Sequence, residues 1–234
     1  MRTRIVFGTL SALTLAVFLP GAAQGISPLR QELAEVNRSQ GNLDRGAHLF
    51  ETCAACHGLD GGGTRDGQVP RIAGQRASVL MKQLVDFRHD RRWDPRMEHF
   101  ADRHHLPDAQ AIADVAAYIS RLDVRLASGE GSGDLLGLGA ASYARLCRGC
   151  HGAVGQGEAR GAVPRLAGQH YEYLRRQIFD AVDGRRPNFS QSHIRLLARL
   201  DHGGIDSIAD YLSRLGSEDG HTGAGNRLAN FPPK

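Results

Sequence analysis

Sulfur and large rings are scarce in this 234-residue chain. It has four cysteines, three methionines and one tryptophan, and aromatic residues make up only 6% of it. No methionine follows Met97. No segment shows the strict alternation of a half-buried strand, and beyond Leu19 no apolar run approaches the roughly 20 residues that cross a bilayer. These absences exclude whole classes of function. The 29 basic and 25 acidic residues are interspersed, whereas nucleic-acid binding calls for a clustered basic face, so no nucleic-acid partner is expected. With so few aromatics, two domains of roughly 80–90 residues would bury little apolar surface through side chains alone. Something else must fill them.

All four cysteines fall in two five-residue stretches, Cys53-Ala54-Ala55-Cys56-His57 and Cys147-Arg148-Gly149-Cys150-His151. Each has the C-x-x-C-H form that attaches a c-type haem. Cysteines three apart on a helical turn face the same way, so Cys53 with Cys56, and Cys147 with Cys150, can reach the two vinyl groups on one porphyrin edge. His57 and His151 then supply an imidazole nitrogen to iron. Two haem c groups are therefore expected, each a flat apolar body that supplies the missing core. The rival readings explain less. A zinc ribbon separates its pairs by about 15–20 residues, a redox dithiol belongs in a strand-rich fold, and structural disulfides leave the repeated histidine unexplained.

The chain starts Met1-Arg2-Thr3-Arg4, continues with an apolar run from Ile5 to Leu19 and reaches Gly21-Ala22-Ala23. That pattern predicts an export signal, residues 1–23, cleaved after Ala23; a retained membrane anchor is the alternative. Cleavage removes Arg2 and Arg4 and no acid, which lowers the formal charge from +4 to +2. Four haem propionates would offset that remainder.

The chain is one unit written twice. Cys53 to Arg92 aligns on Cys147 to Arg186 without a gap and with nearly half the columns identical, the mark of an internal duplication. Val69-Pro70-Arg71-Ile72-Ala73-Gly74-Gln75 falls on Val163-Pro164-Arg165-Leu166-Ala167-Gly168-Gln169. Each unit reads as all-α. Helices are expected over Asp44–Thr52 and Ala140–Leu146 before the cysteines, from Arg76 and His170 onward, and over Asp108–Leu122 and Ile205–Leu215 at the end. Glycine-rich loops, Gly58–Gly67 and Gly152–Gly161, join them. Tyr118 and Tyr211 match in the last helices and are assigned to packing. The divisions are residues 24–126 for the first domain, 127–137 for a Gly/Ser-rich linker, 138–216 for the second domain and 217–234 for a tail.

The duplicated C-x-x-C-H-G, the Pro-Arg-Leu/Ile-Ala-Gly-Gln stretch and the closing Tyr-bearing helix resemble the dihaem cytochrome c4 family, over roughly Asp44 to Leu215. The resemblance implies two tandem class I cytochrome c domains facing each other about a pseudo-twofold axis. It also implies electron carriage in the periplasm, with redox partners such as an oxidase, reductase or dehydrogenase, and loose membrane association through a partner complex. In that fold a proline carbonyl receives the other nitrogen of the proximal histidine, and Pro70 and Pro164 stand at that position.

The family takes its sixth iron ligand from a methionine between the second and last helices. Met97 occupies that place in the first half; Met81 reads as core. In the second half Gln191 falls in the Met97 column and His193 in the column of His99. Binding by His193, weak or absent ligation at Gln191 or water, and binding by another histidine such as His202 all stay open. His48, His89, His104, His105, His170 and His221 read as solvated surface. Arg91, Arg92, Arg185 and Arg186 suit propionates or solvent equally, and Asn188 is a weak candidate for a distal contact. The first functional reading is an electron carrier. The alternative is a haem enzyme, or a haem subunit of a dehydrogenase, acting on a small inorganic substrate at a labile second haem.

Overall fold

The computed structural model describes residues 27–123 and 128–216. The expected leader, the tail and His221 lie outside them. The first half contains α1 (Pro28–Arg38), α2 (Leu43–His57), α3 (Ala77–Arg88), α4 (Pro95–Phe100) and α5 (Ala109–Ile119). The second contains α6 (Leu136–Leu146), α7 (Arg148–His151), a 3-10 turn at Arg160–Ala162, α8 (Tyr171–Val182), α9 (Gln191–Leu197) and α10 (His202–Arg214). Among the described residues there is no strand, only one bridge between Glu158 and Val163. None of these helices is long and apolar enough to cross a membrane. The chain is all-α, as expected.

The crossing of α2 over α5, and of α6 over α10, organises each half. A Cβ at Gly46 would run into the Asp114 carbonyl and the Tyr118 Cβ; one at Gly139 would run into the Ser207 carbonyl and the Tyr211 Cβ. Glycine lets the helix backbones touch there. The tyrosines close the crossing against neighbouring rings, Tyr118 on Phe50 at 5.4 Å between centroids and Tyr211 on Tyr143 at 5.8 Å, so their assignment to packing is consistent with the structure. The crossing fixes where the cysteines of α2 and of α6–α7 emerge. One extra residue separates Gly139 from Cys147, and there the second copy breaks into α6 and α7 at Cys147, whereas α2 runs on through His57.

Three helices escaped the periodicity reading. In α1, Leu29, Leu33 and Val36 share one face on the first core. Buried Glu32 on that helix receives Arg88 at 2.5 Å, His89 at 2.6 Å and Arg103 at 3.1 Å. The short α4 and α9 are set by their caps rather than by period: Asp94 accepts from the Arg96 and Met97 amides, and Ser190 from the His193 amide. The stretch read as a linker is ordered where it is described. Ser128 donates to the Ser213 carbonyl, Asp210 accepts from the Gly131 and Gly133 amides at 3.1 and 2.7 Å, and α6 already begins at Leu136. A buried aspartate on α10 gathers this strap.

The two halves meet reciprocally. Arg76, at the start of α3, donates to the Gln156 carbonyl in the second glycine loop, at 2.7 and 3.0 Å. His170, in the same position before α8, meets the Gly62 carbonyl of the first loop at 2.8 Å. His170, expected at the surface, is 1% exposed. It is neutral, with Nε2–H donating to Gly62 while Nδ1 accepts from the Gly129 amide at 3.0 Å. A residue on a helix cap looks solvated in sequence because the opposing domain that covers it comes from far along the chain.

Two predictions follow from this packing. Gly46→Val is expected to force α2 from α5 and lower stability by about 1–3 kcal/mol in denaturant unfolding; an unchanged midpoint would refute the crossing. Burial first, then Arg71 and Arg65, hold the His170 imidazole below its usual range, against the Gly62 carbonyl and Asp66. The folded state therefore takes up this proton less readily than the unfolded one. The associated stability is complete above about pH 6.5 and declines as pH falls towards the depressed folded value. Thermal unfolding across pH 8 to 5 should show a shallower decline for His170→Ala than for the parent, and equal slopes would rule the contribution out.

Candidate functional site

In each half one cysteine leans on the core and its partner faces solvent. Cys53 and Cys147 are half-buried, while Cys56 and Cys150 are exposed. Burial pushes the inner thiols, Cys53 and Cys147, up to about 11. Helical spacing keeps each pair on one side, as a flat ring with two attachment points requires. Beside them His57 and His151 are only 6% and 7% exposed.

The glycine loops determine which way those histidines point. Gly63 donates to the His57 carbonyl at 2.8 Å and Gly157 to the His151 carbonyl at 2.9 Å, folding each loop back over its helix end. Both glycines have φ near +70°, and a Cβ at either would strike the Pro70 or Pro164 carbonyl. Those carbonyls accept Nδ1–H from His57 at 2.9 Å and from His151 at 3.0 Å. A carbonyl can only accept, so the tautomer is fixed and Nε2 presents its lone pair. Burial lowers both imidazoles' proton affinity, with the proline carbonyls pulling the other way. A neutral, oriented, buried imidazole beside two thiols on one face is a donor set that fits a covalently held haem.

The sixth-ligand candidates come from the short helices. Met97 is half-buried in the first turn of α4, and its neighbours Arg96 and Asp94 lie close enough to His57 to act on its charge. Met81 packs against the first core, the role read for it. In the second half His193 faces His151 with ring centroids 6.1 Å apart and planes at 42°. Burial, then His151 and Arg186, lower its imidazole's proton affinity. Phe189 lies against it at 4.9 Å. Gln191 sits exposed at the start of α9, and His202 packs edge-on against Phe179 at 5.1 Å.

Of the paired arginines, only one of each pair turns inward. Arg92 binds Gln83 in its own domain at 2.8 Å and Tyr173 and Gln177 of the other at 2.5 and 3.0 Å, and Arg186 reaches its neighbour Asn188 and, across the domain boundary, Gln83, both at 3.2 Å. Burial, and then Arg92, bring the Arg186 guanidinium down to about 9. Arg185 instead pairs on the surface with Asp180 and Asp183, both at 2.8 Å. Asn188 donates to Gln83 and Asp86 at the boundary. His99, Asp102 and His105, three residues apart in sequence, come together on a partly exposed turn where Asp102 caps the amides of His104 and His105 and meets the His105 ring at 3.0 Å.

A family model described as cytochrome c matches residues 43–123 and again 137–215. Cytochrome c4 of Pseudomonas aeruginosa is 30% identical over 191 residues, spanning 78% of this chain and 93% of its own. The chain belongs to the dihaem cytochrome c4 family. A thiosulfate dehydrogenase electron acceptor of Stutzerimonas stutzeri is 32% identical over 176 residues, 71% of this chain and 80% of its own. The crystal structure of reduced recombinant cytochrome c4 from Pseudomonas stutzeri matches with a TM-score of 0.67 at 27% identity, over 75% of this chain and 99% of that one. The chain is accordingly a dihaem electron carrier, with Cys53/Cys56 and Cys147/Cys150 fitting its two haem c groups.

Sequence reasoning kept the Ala-Gly-Gln motif as a family mark and missed its work. Gln169 is 8% exposed, and its amide faces the backbone of Arg71; that of Gln75 faces the backbone of Arg165. A polar residue repeated identically at the end of both apolar loop segments was the available signal. Cys150→Ser should leave the second haem with one thioether, so that half the pigment shifts its α-band in the alkaline pyridine spectrum. A uniform unshifted band would contradict that assignment.

Proposed function

We propose that this protein passes single electrons between redox proteins of the periplasm through two haems of unequal axial ligation, His57/Met97 in the first domain and His151/His193 in the second. The observation that carries this reading is the 6.1 Å between the His151 and His193 ring centres. Two imidazoles sharing one metal at bonds of about 2 Å place their centroids roughly 6 Å apart. Rings standing edge-on to a porphyrin can take any mutual rotation, so the 42° angle is compatible. When bound, each haem supplies a one-electron iron couple.

The chain's own residues do the rest. Cys53, Cys56, Cys147 and Cys150 hold the groups, Pro70 and Pro164 orient the proximal imidazoles, and α4 and α9 deliver the distal side chains. A thioether ligand raises the potential relative to a second imidazole, so the Met97 side is the better electron acceptor. Arg92 and Arg186 form a pair of cations at the domain boundary that propionates would neutralise. An exported location is supported by the basic and apolar start of the sequence. A dehydrogenase that oxidises a small sulfur oxyanion, as the Stutzerimonas relative's name implies, is the donor class best supported. His193 opposite His151 gives less support to the alternative of a labile second haem.

A near-infrared methionine–iron band at the strength of one haem is expected, lost in Met97→Ala. The reduced parent should ignore carbon monoxide, whereas His193→Ala should bind it rapidly at one haem. Rapid binding by the parent, or an unaltered second-haem spectrum in His193→Ala, would overturn the ligand assignment.

A further inference from the structure

We propose that each domain tunes the proximal histidine of the other, through a glutamine that hydrogen-bonds the very peptide group holding that histidine. Gln169 and Gln75 are the positioning residues. The inference rests on His57 and His151 as proximal ligands, and it is independent of which side chains stand opposite them.

Pro70 O and Arg71 N belong to one peptide unit. Its carbonyl accepts Nδ1–H from His57 at 2.9 Å, and its N–H donates to Gln169 Oε1, from the other domain, at 3.0 Å. Gln169 Nε2 donates back to the Arg71 carbonyl at 2.8 Å, closing a two-point clamp. The second copy repeats this contact for contact. The Pro164 carbonyl accepts from His151 at 3.0 Å, the Arg165 N–H donates to Gln75 Oε1 at 2.8 Å, and Gln75 Nε2 donates to the Arg165 carbonyl at 2.9 Å. Neither amide has freedom to flip. Gln169 Oε1 also accepts from the His170 amide at 2.9 Å and Gln75 Oε1 from the Arg76 amide at 3.0 Å, so each oxygen faces two donors and each nitrogen faces a carbonyl.

The chemistry follows from polarisation along the chain of bonds. An N–H that donates to the glutamine oxygen draws electron density onto its own carbonyl, which then accepts more strongly from Nδ1–H. Arg71 and Gln169 are buried, 7% and 8% exposed, where such effects are least screened. A stronger Nδ1–H bond makes the imidazole a better electron donor to iron and favours the oxidised state. Gln169 therefore lowers the potential of the first haem and Gln75 that of the second. Neither glutamine lies in the domain of the haem it tunes.

The test is a pair of variants in the holoprotein, Gln169→Leu and Gln75→Leu, read by potentiometric titration. Both are made in a Cys150→Ser background, whose shifted α-band labels the second haem whatever its axial ligands. Gln169→Leu should raise the midpoint of the first haem and leave the second in place; Gln75→Leu should do the reverse. Gln169→Glu keeps an acceptor oxygen for the Arg71 N–H and should leave the first haem's midpoint at or below its parent value even if the leucine variant folds poorly. Equal shifts of both haems, a shift confined to the glutamine's own domain, or no shift in either variant would overturn the proposal. An error in the Met97 or His193 assignment would surface in the parent spectra and leave the crossed pattern intact.

Discussion

A glutamine side chain reaching over the domain boundary to a backbone amide is the contact on which the arrangement of both halves rests. It occurs twice, and it is strengthened each time by the residue after it, Arg76 or His170, which reaches the glycine loop of the opposite domain. Arg71, Gln169 and His170 lie where water has little access, and their counterparts Arg165, Gln75 and Arg76 are half-buried. An unmet amide or carbonyl there costs the desolvation of a polar group, so separating the domains is unfavourable well beyond the loss of apolar contact. The duplication makes the arrangement self-consistent: one motif, facing its own repeat across the domain boundary, supplies donor and acceptor in both directions.

The same geometry explains why the proximal sides of the two haem sites are alike and their distal sides are not. The proximal side is built from the C-x-x-C-H helix end, a glycine loop and a proline carbonyl, all within the region of the repeat that aligns without a gap. Gly63 and Gly157 bring the loop back to within reach of that carbonyl in both copies. The distal side depends on α4 and α9, two short helices held by single caps, Asp94 and Ser190. Met97 in one copy and His193 in the other differ in softness and donor strength, and the proposal of unequal ligation rests on that difference.

Parts of this were legible from residues alone. The cysteines, the histidine beside each pair, the repeat and the all-α class needed only spacing and period. Pro70 and Pro164 came with the family resemblance, and the structure puts both carbonyls on the histidines. Other parts were not legible. The strap over α10 read as a linker because Gly and Ser carry no period, yet Asp210, far along the chain, collects its amides. His170 read as surface because nothing local covers it.

Covalent chemistry and local helix geometry were thus written into the sequence, since C-x-x-C-H works within a single turn and its meaning does not wait for folding. What the tertiary structure alone decided is which distant groups meet. Gln169 on the Arg71 peptide, Gln75 on the Arg165 peptide and His193 opposite His151 depend on the packing of separate helices, and residues so far apart leave no periodic trace of their pairing.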